Sequence, residues 1–544
     1  MTKKITSLLL ALLLLFSIMA GCNTGNTETS ATPPPTSSTP DAGTETDTPP
    51  TEKPALPLVD EPLEFTCYLP STGIVGNNMT QLNDSYAYKK IEEMTNVHLK
   101  FQHPSSTGES EAFSLMIASN ELTDLIVNPT FTGSMSQYVA DGYFLDLTDY
   151  IDEYAPNYQA LRESNPNIMR GTMDDDSRIS TFAAINDPSY GFLGYVVRQD
   201  WMEEAGITNL PVTYDDWHDM LLAMKEKTNI APLFMMDSGA HQALTAGFGT
   251  KADFYNKNGK VEYGPVTDEF KQYLTLMRGW YEEGIIDPDF YTRDAFYMVM
   301  GNFANGDWAA SPEVYSMIDM ASSFGQSTNP DFKLTAIPSP RLNANDKFKI
   351  DSTMEGIDYV GNVYGFVSTV CQYPEIAIRY FDFFYSEEIA MLTAFGIEGF
   401  SYEIIDGEPT FMDGIYDADR GDSLMDIGML YAYGPAWPRL RIESKMGISE
   451  SSIEAQEIWS KEFDYDDNYV ISTSVSMTSQ ESADFGNIMG DVQTLIDENL
   501  VKIITGQLEL SAWDNVVAQI KNMNIDKAIS LKQAACDRYM NRGQ

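Results

Sequence analysis

The sequence predicts an exported α/β protein with two regions of alternating strands and helices. Three observations predict it. The chain opens with Lys3 and Lys4, an apolar run from Leu8 to Met19, and then Ala20-Gly21-Cys22. Between Leu63 and Val127 the order is strand, helix, strand, helix, strand, which specifies a mainly parallel sheet. A second α/β region starts near Tyr190, and 544 residues leave room for a second core.

The leader comes first. Its apolar run is about a dozen residues, whereas a bilayer span takes roughly 20, so it reads as a signal peptide over residues 1–21. Small residues directly before a cysteine resemble the bacterial lipobox, in which the cysteine sulfur is acylated and the peptide is cut just before it. Position three before Cys22 is Met19, where that pattern usually has leucine. The alternative is an ordinary signal with Cys22 incidental. From Asn23 to Pro57 the chain is Thr, Ser, Pro, Gly, Asp and Glu, too polar to offset the entropy of ordering. Pro33, Pro34, Pro35, Pro40, Pro49, Pro50 and Pro54 keep it extended, so residues 22–60 read as a semi-stiff spacer behind the lipid site.

In the globular part, Leu63, Phe65, Cys67 and Leu69 alternate with Glu64, Thr66 and Tyr68, the period of a strand. Tyr86 to Thr95 has helical spacing, Val97 to Phe101 alternates, Glu109 to Ala118 is helical, and Leu122 to Val127 runs into Asn128-Pro129 as a buried strand. Ligands in such sheets bind beyond the carboxyl ends of the strands, here Tyr68 to Gly73 and Asn128 to Thr132. In the second region Gly191 to Arg198 reads as a strand, and Asp200 caps a helix with Trp201 and Met202. Thr213 with Asp216 approximates a capping box for the helix carrying Trp217, Met220, Leu221 and Met224. Thr267 starts a helix that Gly284 ends. Asp307 to Ala310 is a strand, broken at Ser311-Pro312. Tyr364 to Ser368 is another, and Pro374 opens a helix. Helices are expected at Val492 to Thr505, Trp513 to Ile520 behind a Ser511 cap, and from Asp526 onward.

Charge and motifs then narrow the chemistry. With 34 basic and 80 acidic residues the net charge is −46, which repels nucleic acid and anionic lipid. After Cys22, only Cys67, Cys371 and Cys536 remain, an odd number in apolar settings, so they read as packed thiols rather than a disulfide framework. No phosphate loop, dinucleotide fingerprint, nucleophile elbow or HExxH helix occurs, so no cofactor is expected. His98, His103, His218 and His241 lack ligand spacing. Asp174 to Asp176 and Asp464 to Asp467 lack the alternating oxygens and central Gly of an EF-hand, so no metal is expected either. Aromatic side chains stand beside polar groups at strand ends and loops: Tyr190, Trp308, Tyr315, Tyr364, Tyr402 and Trp437. Flat rings stack on the C–H face of a sugar while neighbouring polar groups bind its hydroxyls. For any single one of these rings core packing is the better reading; as a set they suit a carbohydrate cleft.

A set of segments in fixed order resembles the family-1 extracellular solute-binding lipoproteins of sugar ABC transporters, within them the large group of Gram-positive bacteria that take up oligosaccharides. The segments are Asp141 to Thr148, Arg198 to Trp201, Pro211 to Asp216, Gly259 to Pro265, Tyr281 to Pro288, Gly396 to Gly399, and Ile503 to Gly506 with Trp513. The resemblance implies an α/β, two-lobed periplasmic-binding-protein-like fold with hinge strands near Tyr190 and Tyr364 and a ligand cleft between the lobes. The lobes would be 61–188 with 365–400, and 189–364 with 401–544. It implies a monomer on the outer face of the cell membrane, lipid-anchored and palmitoylated at Cys22, that binds an oligosaccharide without catalysis and delivers it to permease subunits. Some relatives carry a calcium loop after the Thr213 cap, but Lys225 to Asn229 run on without an acidic insertion. The ligand residues expected are Tyr68, Asn128, Tyr190, Trp308, Tyr315, Tyr364, Glu398 and Trp437, with Tyr315 and Trp437 as stacking rings. Two other readings stay open: a surface carbohydrate-active enzyme, and the same fold binding a peptide or another small solute.

Overall fold

Hydrophobic alternation, capping residues and prolines place most elements where local chemistry puts them. A computed structural model describes residues 56–70, 79, 81–105, 107–130, 135–186, 191, 193–236, 239–293, 301–350, 352, 359–405, 407–412, 414–415, 430–432, 437–440, 450–461 and 470–544. The described strands are β1 (Leu63–Tyr68), β2 (Val97–Gln102), β3 (Leu125–Val127), β4 (Phe182–Ile185), β5 (Leu193–Arg198), β6 (Phe254–Lys257), β7 (Lys260–Tyr263), β8 (Ala310–Val314), β9 (Leu334–Ile337), β10 (Val360–Val367), β11 (Tyr402–Ile405) and β12 (Glu408–Phe411).

The chain forms two units. The first takes in Met1–Pro188, Asp358–Gly447 and Tyr539–Gln544. Its five-stranded sheet has the order β2-β1-β3-β10-β4. β1 pairs parallel with β2 and β3, while β10 runs antiparallel between β3 and β4. The helices Tyr86–Thr95 and Glu109–Ser119 are the crossovers that two parallel pairings require. Each ends at an asparagine in the left-handed conformation, Asn96 and Asn120. The core of this unit gathers Phe65, Cys67, Tyr88, Tyr158, Phe182, Phe381 and Phe384.

The division differs from the one read in the sequence, which gave 358–364, 401–447 and 539–544 to the other lobe. Long-range partners decide it. β10 enters the first sheet whole, from Val360. Ile185 donates its N–H to the Arg439 carbonyl (2.9 Å) and Leu440 to that of Phe384 (3.1 Å). At the end of the chain the buried Arg542 holds Asp175 through two nitrogens, at 3.0 and 2.7 Å.

The second unit is Ser189–Ile357 with Ile448–Arg538. Its sheet, β8-β5-β9, is antiparallel throughout, and β6–β7 form a separate hairpin. The Thr213 box is complete: the Thr213 hydroxyl accepts from Asp216 N–H and the Asp216 carboxylate accepts from Thr213 N–H (2.8 Å). The helix Tyr214–Thr228 runs straight through Lys225 to Thr228 and caps at Asn229. Thr267 caps Asp268–Glu282, followed by Gly284 at φ 68°. Asp200 does not cap its helix. It sits in the first turn and takes a bidentate pair from Arg198, whose guanidinium lies between Trp201 (4.1 Å) and Phe332 (4.3 Å). The helix expected from Val492 begins a full three turns earlier, at Ser479, behind a Thr478–Glu481 capping box. Ser511 makes no side-chain cap bond.

Candidate functional site

In a strand–helix–strand unit the helix begins at the carboxyl end of the strand before it, and open sheets of this kind bind ligands there. In the first unit that edge is tied together by His103. One ring nitrogen meets the Leu69 carbonyl (2.8 Å) and the other accepts from Leu82 N–H (3.4 Å), just before the helix Tyr86–Thr95. The ring stacks on Phe101 at 5.0 Å, and burial pushes its pKa down, so it works as a neutral brace.

Three of the expected residues meet here. Asn128 follows β3 with φ 49°, a left-handed turn that asparagine tolerates, and its N–H donates to the Tyr364 carbonyl (2.7 Å). Both are half-buried. Tyr68 is 3% exposed: its ring lies 6.0 Å from Phe113 and its hydroxyl donates to the Glu109 carbonyl (3.1 Å), which anchors a helix rather than facing a ligand.

Beside this edge is a group that the sequence reading missed. Tyr86, Phe400 and Tyr431 come from three separate stretches, with centroids 5.0 Å (Tyr86–Phe400), 5.2 Å (Tyr86–Tyr431) and 5.8 Å (Phe400–Tyr431) apart. Tyr86 is 37% and Phe400 45% exposed. Glu398, an expected ligand residue, lies in the turn leading to Phe400 and is exposed. The missing signal is long-range: the Ser85 hydroxyl caps the helix and also donates to the Ala432 carbonyl (2.7 Å), 347 residues away. Only the Tyr86 position, at a helix start after a strand exit, was open to inspection in the sequence.

The two tryptophans are corrections. Trp437 belongs to the first unit, not to the edge of the other lobe, and is 1% exposed. It stacks on Phe381 (5.5 Å, 24°) and packs against Phe384 (5.2 Å) and Tyr380 (6.2 Å). Trp308 is fully buried in the second unit, stacked on Phe234 (4.5 Å, 15°) under the Arg293 guanidinium (5.1 Å). Arg293 in turn pairs with Asp287: its Nε lies 2.7 Å from Oδ2 and its Nη2 donates to Oδ1 (3.4 Å). Neither face of these indoles is open to stack a sugar. The strand expected at Asp307–Ala310 is β8, which starts at Ala310 and runs through Pro312. β8 lies at the edge of its sheet, where proline's missing N–H is tolerated.

Tyr315 follows β8 and is 9% exposed, its carbonyl accepting from the Ser452 hydroxyl (2.8 Å). Two residues earlier, Glu313 is buried, and its Oε1 finds no hydrogen-bond partner among the described residues. Gly194 faces it across β5, and a Cβ there would collide with the Trp459 indole, so Glu313 shares the face that Trp459 covers. Burial alone pushes its carboxyl up to about 8. An acidic residue inside the strand Ala-Ser-Pro-Glu-Val was the available sequence signal. Tyr190 and Cys22 lie outside the described residues.

Asp464 to Asp467 lie outside the described residues, and the other polar clusters singled out in the sequence are accounted for by structure. Asp174 and Asp176 pair with Arg178, and Asp175 with Arg542. His218 meets Glu283 at 2.7 Å. Cys67, Cys371 and Cys536 are buried free thiols; burial pushes Cys371 up to about 11. Among the described residues no group of three or more His, Cys, Asp or Glu could hold a metal ion, and no helix is long and apolar enough to cross a membrane.

Residues 78–391 match the family described as bacterial extracellular solute-binding protein. The chain belongs to this family. Lipoprotein LipO of Bacillus subtilis is 23% identical over 361 residues, covering 60% of this chain and 66% of LipO. The fructooligosaccharide ABC transporter substrate-binding protein FusA of Streptococcus pneumoniae is 23% identical over 240 residues, 39% of this chain and 43% of FusA. The matched stretches thus span less than two thirds of either relative. Among solved structures, an HMO-binding, ABC-transporter-associated solute-binding protein from Bifidobacterium longum infantis superposes with a TM-score of 0.68 at 17% identity, over 89% of this chain and 100% of the other. That likeness shows the α/β fold to be the one solute-binding proteins use. FusA and the Bifidobacterium protein are named as binding proteins.

Proposed function

We propose that the chain captures an oligosaccharide outside the cell and passes it to the permease subunits of an ABC transporter, as a monomer held at the membrane by lipid on Cys22. The family match over residues 78–391 carries this reading, and the sugars named for FusA and for the Bifidobacterium protein point to the ligand class. The first unit supports it at the carboxyl edge of its sheet, where Asn128 and Tyr364 meet, and in the turn to Phe400, where the exposed Glu398 offers a polar group of the kind sugar hydroxyls need. On the second unit, Tyr315 remains the proposed ligand contact. We take the chain to bind without cleaving.

Purified protein incubated with labelled fructo-, malto- and xylo-oligosaccharides tests this. Retention of one of them, recovered intact, is the expected result. Shorter products would turn the reading toward an enzyme, and no retention at all would overturn it. The anchor has its own test: Cys22→Ala is expected to shed the protein into the medium, and retention of the variant in the membrane fraction at wild-type yield would contradict lipidation.

A further inference from the structure

The ring cluster at Tyr86 is built from positions that local patterning does not need. An exposed aromatic side chain is ordinary when it stands alone, but three converging from separate segments form a patch. Each is fixed from beneath. Tyr86 opens a helix capped by Ser85, and the same hydroxyl pins Ala432, the residue after Tyr431. Phe400 sits in a turn closed by Phe400 N–H to the Ile397 carbonyl (3.0 Å) and Gly399 N–H to the Tyr402 carbonyl (2.8 Å). Gly396, at φ 84°, lets the two segments approach: a Cβ there would stand 2.6 Å from the Tyr431 carbonyl oxygen and would also collide with the Ser401 hydroxyl. Rings held this firmly lose little entropy when a ligand lies on them.

We propose that Tyr86, Phe400 and Tyr431 form a stacking surface for an uncharged oligosaccharide, with the Glu398 carboxylate at its rim accepting from sugar hydroxyls. This rests on the capture function proposed above and names the ligand's charge and the residues that meet it. The surface lies where the first helix leaves the carboxyl edge of the sheet, the place this fold class offers to ligands. Its chemistry selects against acidic sugars. Glu398 stands two residues before Phe400, and the whole chain carries −46. The cation found over these rings among the described residues, Lys89, sits 5.5 Å from the Tyr86 centroid and is already used, donating to the Asp84 carbonyl (3.0 Å). A greasy peptide would leave the Glu398 carboxylate facing apolar surface, whereas a sugar has hydroxyls for it.

Calorimetric titration of the full chain with kestose, maltotriose, xylotriose and trigalacturonate, beside a thermal melt, is the test. The wild type is expected to bind at least one of the three neutral sugars and to ignore trigalacturonate. Phe400→Ala and Tyr86→Ala are expected to weaken that binding tenfold or more with the melt unchanged, and Tyr86→Phe to preserve it. A wild type that binds a neutral sugar equally well with and without these rings overturns the stacking surface and leaves the capture function standing. Preference for trigalacturonate overturns the choice of an uncharged ligand. A wild type that binds none of the four overturns both the surface and the function beneath it. Dimers in sedimentation that fall apart on Phe400→Ala would assign the rings to self-association and overturn the proposal.

Discussion

Trp437 and Tyr86 each sit among other rings of the first unit, at nearly the same spacing. Trp437 has Phe384, Phe381 and Tyr380 at 5.2, 5.5 and 6.2 Å; Tyr86 has Phe400 and Tyr431 at 5.0 and 5.2 Å. The first set is sealed, each ring 1% exposed or less, while Tyr86 and Phe400 keep more than a third of their surface. Ring spacing therefore does not separate a core from a recognition surface. What covers the rings does. Behind the Trp437 set lies β10, packed so closely that a Cβ on Gly365 would stand 2.6 Å from Phe381 and 2.8 Å from Pro438. The flanking proline that makes Trp437 look like a presented residue is part of that seal.

The largest effect expected from this contrast is on stability. Trp437→Ala removes a sealed indole and should cost about 3–5 kcal/mol in denaturant unfolding, with sugar affinity kept in the fraction that folds. A melt unchanged from wild type would place Trp437 outside the core. Glu313 tests burial in the second unit by its charge. Its ordinary pKa of 4.5 rises to about 8 on folding, because burial penalises the carboxylate. The folded chain holds a proton that the unfolded chain has released, so the contribution to stability is full below 4.5 and is lost as pH rises through 8. Glu313→Gln should remove that slope and raise stability near pH 8 by on the order of a few kcal/mol. Parallel pH–stability curves for the two proteins would show that the carboxyl is solvated. Gly396→Ala strains a left-handed residue against the Tyr431 carbonyl and should cost roughly 1–3 kcal/mol, while shifting Tyr431 enough to weaken sugar binding severalfold. The smallest effect is local: Thr213→Ala breaks a complete capping box in the second unit and should cost about 1 kcal/mol, with affinity untouched.

Local chemistry made much of the fold legible. The helix Tyr86–Thr95 and the Thr213 box lie where spacing and capping put them, because their determinants sit within a few residues. β4, four buried residues with no alternation, carried no period to read. The boundary at 188 was legible, but the assignment of 401–447 and 539–544 escaped, since it depends on Ile185 finding Arg439 and Asp175 finding Arg542. The candidate site was less legible still. A strand exit pointed to Asn128 and a strand-end aromatic to Tyr364, but which aromatic rings face water depends on pairings such as Ser85 with Ala432, whose partners are far apart in the chain.

Phe400→Ala and Trp437→Phe, measured side by side by calorimetric titration with the neutral sugar that the wild type binds and by thermal melt, bear most directly on this contrast. The expected result is a split. Phe400→Ala binds at least tenfold more weakly and melts like wild type, and Trp437→Phe melts lower and binds like wild type. The reverse pattern, with affinity lost at Trp437 and kept at Phe400, would contradict the assignment of the sealed rings to the core and the open rings to the ligand.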